Sequence, residues 1–180
     1  DETCGFNPDV MRWDYDRSKA RATLEVLKAG ARGLDAVVVC PTGVIGPYDF
    51  KVSEVGQLIV DYAKGKMKAY MDGAYDFVDV RDVAAGHILA AEKGRPGEAY
   101  ILSGERITVP GLMSLLEEVT GVPRPRLKLP NWVTDLAGAL APLYSLVTRR
   151  RPLVTTYSLH VLRGNSVVRS AKARSELGYT

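Results

Sequence analysis

Two stretches of this 180-residue chain set a tyrosine four residues ahead of a lysine: Tyr15 and Lys19 in "YDRSK", and Tyr62 and Lys66 in "YAKGK". On a helix such positions share a face, with Cβ atoms about 5–6 Å apart. An ammonium held there favours the phenolate over the phenol. At an effective dielectric near 20, opposite charges about 4 Å apart attract by roughly 4 kcal/mol, an upper bound that draws a phenol's ionisation towards neutrality. General acid/base catalysis works best in that range, so the chemistry on offer is proton exchange with a hydroxyl or carbonyl oxygen. Context separates the two copies. Tyr62 and Lys66 straddle Gly65 between Lys64 and Lys68, which reads as a frayed, solvated helix end. Tyr15 and Lys19 fall in the first turns of a helix that runs towards an apolar strand.

The elements that must position this pair follow from periodicity. Residues 14–29 read as a helix capped by Asp14, with Ala20, Leu24 and Leu27 on one buried stripe and Gly30 just past its end. "LDAVVVCPTGVIG" opens with a valine-rich run that suits a strand covered on both faces of a parallel sheet. A helix in "SEVGQLIVDYAKGK", short strands in "KAYM" and "YDFVDV", and a helix capped by Asp82 that stops at Gly94 come next. "EAYILSG" reads as a buried strand, "ITV" as a short one, and "PGLMSLLEEVTG" as a helix between Pro110 and Gly121. "PRPRLKLP" is a proline-punctuated connection, and "VVRSAKARSELGYT" ends in one more short helix.

Taken together, "YDRSK", "PTGVIGPYD" and "FVDVRDVAAGHILAAEKGRPGEAYIL" resemble the extended short-chain dehydrogenase/reductase family, also called the NAD-dependent epimerase/dehydratase family, and within it the dihydroflavonol-reductase-like branch. The likeness runs over essentially the full chain. It implies an α/β fold: the C-terminal half of a Rossmann-type doubly wound parallel sheet plus a small α/β substrate-binding lobe. Residues 1–104 would be the remnant of the dinucleotide-binding sheet with the catalytic helix, interrupted by lobe residues at about 45–80, and 105–180 mainly the lobe. The resemblance further implies Tyr15 as catalytic acid/base and Lys19 as its partner and a ligand of the nicotinamide ribose. Pro41, Thr42, Gly43 and Val44 would run beside the nicotinamide of NADP or NAD; on the residues alone, a strand-ending turn accounts for those four. Sugar-nucleotide members carry a diphosphate-binding arginine where this chain has Tyr75, and a phenol cannot replace that bidentate fork. The expected substrate is therefore a small carbonyl or hydroxyl compound, with Tyr75 and Arg169 as candidate contacts. Nucleotide-sugar epimerisation or dehydration, or a silent binding domain, is the alternative.

No G-x-G-x-x-G occurs in the chain, so the pyrophosphate cradle is expected upstream of Asp1. A polypeptide without that half should be inactive, and its open strand edge should drive homodimerisation or pairing with the missing N-terminal half. His87 and His160 lack a second ligand at metal spacing, so no metal is expected. The net charge of +3, with acids and bases interspersed, argues against a nucleic-acid partner. Cys4 and Cys40 form no close pair, and the acidic N-terminus is no secretory signal, which fits a reduced, cytoplasmic setting. Residues 132–147 are apolar but carry Asp135 and Pro142 and precede Arg149, Arg150 and Arg151. They read as a core helix with a solvated basic end, in preference to an interfacial membrane helix.

Overall fold

The computed structural model describes residues 1–149, 152, 154–164 and 167–180. The chain divides into two compact units, one of residues 1–46, 76–105 and 168–180, the other of residues 47–75 and 106–167. The inserted segment thus closes at Tyr75, short of residue 80, and the last thirteen residues return to the first unit instead of staying with the lobe.

In the first unit, α1 (Asp14–Gly30) packs on β1 (Val38–Pro41). Trp13 occupies the cap position and supplies no side-chain acceptor; Asp14, expected as the cap, is the first helical residue and pairs with Arg17. Its carboxylate and that of Asp16 still meet the positive end of the helix dipole. Ala20 is buried, while Leu24 and Leu27 are half-buried. β1 runs parallel to β5 (Ala99–Leu102), from Val38 opposite Ala99 to Pro41 opposite Leu102. β5 is the one partner of β1 among the described residues, which leaves Val38 and Val39 half-buried where full cover was expected.

α3 (Val80–Lys93) and α7 (Ala171–Leu177) pack on this pair. Val78, Val83, Ala90, Tyr100, Leu102, Ala173, Leu177 and Tyr179 form the core between them. α3 begins earlier than expected: Asp79 is its cap, accepting from the Arg81 amide at 2.8 Å and from the Arg81 guanidinium, and Asp82 sits in the first turn. Those bonds hold the Asp79 carboxyl down at about 2. A second parallel pair joins β2 (Gly43–Ile45) to β4 (Ala74–Asp79), and β6 (Glu105–Thr108) lies on the far side of β4.

The second unit contains α2 (Glu54–Ala63), α4 (Val109–Thr120), α5 (Asn131–Thr148) and α6 (Thr156–Arg163). β3 (Ala69–Tyr70) pairs parallel with β7 (Leu127–Lys128), a strand inside the stretch read as a connection; two residues among prolines carry no period. α4 starts at the Thr108 cap and ends at Gly121, whose φ of 70° is a left-handed conformation that glycine adopts without steric penalty. Tyr62 corrects a further expectation. It is 1% exposed, and its hydroxyl donates to the carbonyls of Val122 at 2.8 Å and Met113 at 3.2 Å, so it fastens α2 to α4 and is no frayed terminus. Lys66 turns instead to Asp61.

α5 also departs from the core helix expected. Only its small residues, Thr134, Gly138 and Ala141, are buried, because α6 approaches so closely that a Cβ on Gly138 would sit 3.0 Å from Leu159 Cδ1. The large apolar residues face outwards. Arg149 ends the helix in a left-handed conformation, and Arg150 and Arg151 lie outside the described residues. No described helix is long and apolar enough to cross a membrane.

Candidate functional site

Tyr15 is the second residue of α1 and Lys19 follows one turn later, so the helix itself fixes their common face. The Lys19 ammonium lies 5.7 Å from the centroid of the Tyr15 ring. Tyr15 is 60% exposed. α1 precedes β1 through residues 31–37 and packs on it. In open α/β sheets the C-terminal end of a strand receives ligands.

Pro41, Thr42, Gly43 and Val44 occupy this strand end. Their conformation is held by a buried carboxylate absent from the expected site, Asp76, which is 7% exposed. Asp76 Oδ1 accepts from Thr42 Oγ1 at 2.7 Å and from the Gly104 amide at 3.0 Å, and the Thr42 amide donates to Leu102 O at 3.0 Å. One side chain thereby ties the end of β1 to the turn after β5. Gly43 and Val44 continue directly into β2, opposite Phe77 and Val78. The signal for Asp76 was present in the sequence: it has the parity of Ala74 and Val78, both buried, so its carboxylate had to point inwards and find donors.

This strand end offers a ligand one kind of surface and withholds another. Pro41 and Val44 are exposed apolar groups at the strand end. The Thr42 hydroxyl is committed to Asp76, so the backbone of this segment and its apolar side chains remain for the ligand. Nothing in the sequence supplies a glycine-rich pyrophosphate cradle.

The candidate substrate contacts fall in different units. Tyr75 is half-buried and closes the inserted segment of the second unit; Arg169 is exposed in the first, ahead of α7. Arg81, the nearest guanidinium along the chain to Tyr75, is engaged on both carboxylate oxygens of Asp79. Of the histidines, His87 Nδ1 lies 2.8 Å from Val83 O within its own helix. Among the described residues no three His, Cys, Asp or Glu side chains cluster as metal ligands would. Burial pushes the Cys40 thiol up, with Glu2 adding to the effect, so this cysteine is a poor nucleophile.

Comparison with known proteins places this geometry. Over 167 residues, 92% of this chain and 51% of the relative, the sequence is 41% identical to sterol demethylase protein B of Methylococcus capsulatus. It is 39% identical over 123 residues to a putative dihydroflavonol 4-reductase of Synechocystis, covering 66% of this chain and 36% of that protein. The crystal structure of gox2253 superposes with a TM-score of 0.74 at 35% identity, over 97% of this chain and 53% of that one. The chain thus spans about half the length, or less, of the relatives it matches. The profile described as "NAD dependent epimerase/dehydratase family" matches residues 1–103, and with it the chain belongs to that family.

Proposed function

We propose that the protein of which this chain is part is an NAD(P)-dependent oxidoreductase acting on a small, largely apolar carbonyl or hydroxyl compound, with Tyr15 as its acid/base. The observation that carries this reading is a solvent-exposed tyrosine with an ammonium 5.7 Å from its ring, in the first turn of a helix packed on a parallel strand. In the reducing direction Tyr15 Oη gives its proton to the carbonyl oxygen as the alcohol forms; in the other it takes the hydroxyl proton. Lys19 stabilises the phenolate left behind and supplies a donor for a ribose hydroxyl. Pro41 and Val44 present apolar surface to one face of the ring, and Asp76 keeps that segment in place through Thr42. When bound, the nicotinamide supplies or accepts the hydride.

The substrate class rests on what stands in place of phosphate-binding groups. Tyr75 cannot grip a diphosphate, and the fork of Arg81 is already held by Asp79. The relatives named for a dihydroflavonol reductase and a sterol demethylase component support a carbonyl or hydroxyl compound without a nucleotide handle.

Tyr15→Phe in the intact protein tests the assignment. The expected result is a fall in kcat by about 10²–10⁴ with the cofactor Kd unchanged. Wild-type turnover in that variant overturns the role of Tyr15, and turnover of a nucleoside-diphosphate sugar in preference to apolar ketones overturns the substrate class.

A further inference from the structure

The outward face of α5 carries Trp132, Leu136, Leu140, Leu143, Tyr144, Leu146 and Val147, each between 47% and 78% exposed. Their spacing of three and four residues gathers them on one side, opposite the buried Thr134, Gly138 and Ala141. The only charged side chain within the helix, Asp135, is turned away into an ion pair with Arg163 at 2.5 Å. Soluble monomers rarely leave a contiguous apolar patch of more than a few hundred Å² uncovered, and such patches mark sites of association.

Charge indicates what covers this one. By sequence, the second unit holds twelve Lys and Arg against seven Asp and Glu, whereas the first holds twelve against fourteen. The apolar stripe ends at Arg149, and the sequence continues with Arg150 and Arg151. A second copy would carry the same net positive charge on this unit, which disfavours like-with-like association. A surface that is apolar inside and anionic outside satisfies both features at once: side chains such as Leu140 and Leu143 enter the acyl boundary while Arg149 meets headgroup phosphates.

We propose that α5 is a membrane-surface anchor that lies flat on anionic lipid, with the Trp132-to-Val147 stripe in the acyl boundary and Arg149, at the helix end, at the headgroups. The proposal does not depend on the chemistry assigned to Tyr15.

The test is co-sedimentation of the intact protein with vesicles of phosphatidylcholine alone and with roughly 30 mol% phosphatidylglycerol. Binding is expected only to the anionic vesicles, to weaken with salt, and to drop at least about tenfold in the variant Leu140→Glu/Leu143→Glu/Leu146→Glu. These side chains are exposed, so the variant should keep the wild-type circular dichroism and melting temperature. As a second readout that needs no charge in the stripe, Trp132→Phe should remove the blue shift of tryptophan emission on adding vesicles. Failure to sediment with either vesicle, or retained binding in the triple variant, overturns the proposal. So does a wild-type dimer in sedimentation equilibrium that the triple variant converts to monomer, since a second copy then covers the stripe.

Discussion

The two tyrosine–lysine pairs show how far one residue's surroundings decide its use. Tyr15 is exposed beside an ammonium, whereas Tyr62 is buried and donates its hydroxyl to backbone carbonyls inside the second unit. Burial pushes the Tyr62 phenol up, and Glu117 adds to it. The folded state therefore resists losing this proton while the unfolded chain gives it up near pH 10, so ionisation favours unfolding once pH passes that value. Tyr62→Phe should lower Tm at pH 7 by about 2–5 °C, from the lost hydrogen bonds, and make the fall in Tm between pH 9 and 11 shallower. A thermal melt series across pH checks both, and an unchanged slope above pH 10 contradicts the assignment.

At the scale of elements, the end of β1 and the turn after β5 meet through Asp76, and this junction tolerates no extra atom. A Cβ on Gly104 would lie 2.1 Å from Phe77 O and 2.9 Å from Val78 Cα, both backbone atoms that no rotamer change can move. Gly104→Ala should therefore destabilise the first unit by more than about 3 kcal/mol, displacing the amide that donates to Asp76. Urea denaturation followed by circular dichroism measures this; an unmoved midpoint would show that the junction relaxes freely. The cap of α3 shows the same economy, since Asp79 serves both the Arg81 amide and its guanidinium.

For the molecule as a whole, the residues proposed for the nicotinamide end of a dinucleotide lie within this chain and a glycine-rich phosphate cradle does not. Pyrophosphate is ordinarily held by backbone amides at a glycine-rich turn and a helix N-terminus, and that is where most of the charge of the cofactor is met. The 180-residue polypeptide alone should accordingly bind NADH or NADPH with a Kd in the millimolar range or weaker, worth about 4 kcal/mol, by fluorescence titration. Micromolar binding would mean that another part of this chain holds the phosphates.

Sequence alone determined the α/β class, the order of most elements and the placing of Tyr15 and Lys19 on one helix face, because helix period, apolar runs and i,i+4 spacing are local properties of the chain. The ends of elements were less legible: Asp79 and Asp82 are equally good capping residues by type, and only the path of the strand before them selects the first. β7 was invisible because its stability comes from pairing with β3, nearly sixty residues away. Asp76 and Tyr62 acquired their roles from partners distant in the chain, Thr42 and Gly104 for one, Met113 and Val122 for the other. The fate of α5 was settled the same way. Composition makes it apolar on nearly every side, but which side is buried depends on where α6 packs, and that close approach admitted only the small residues and left the large ones outside.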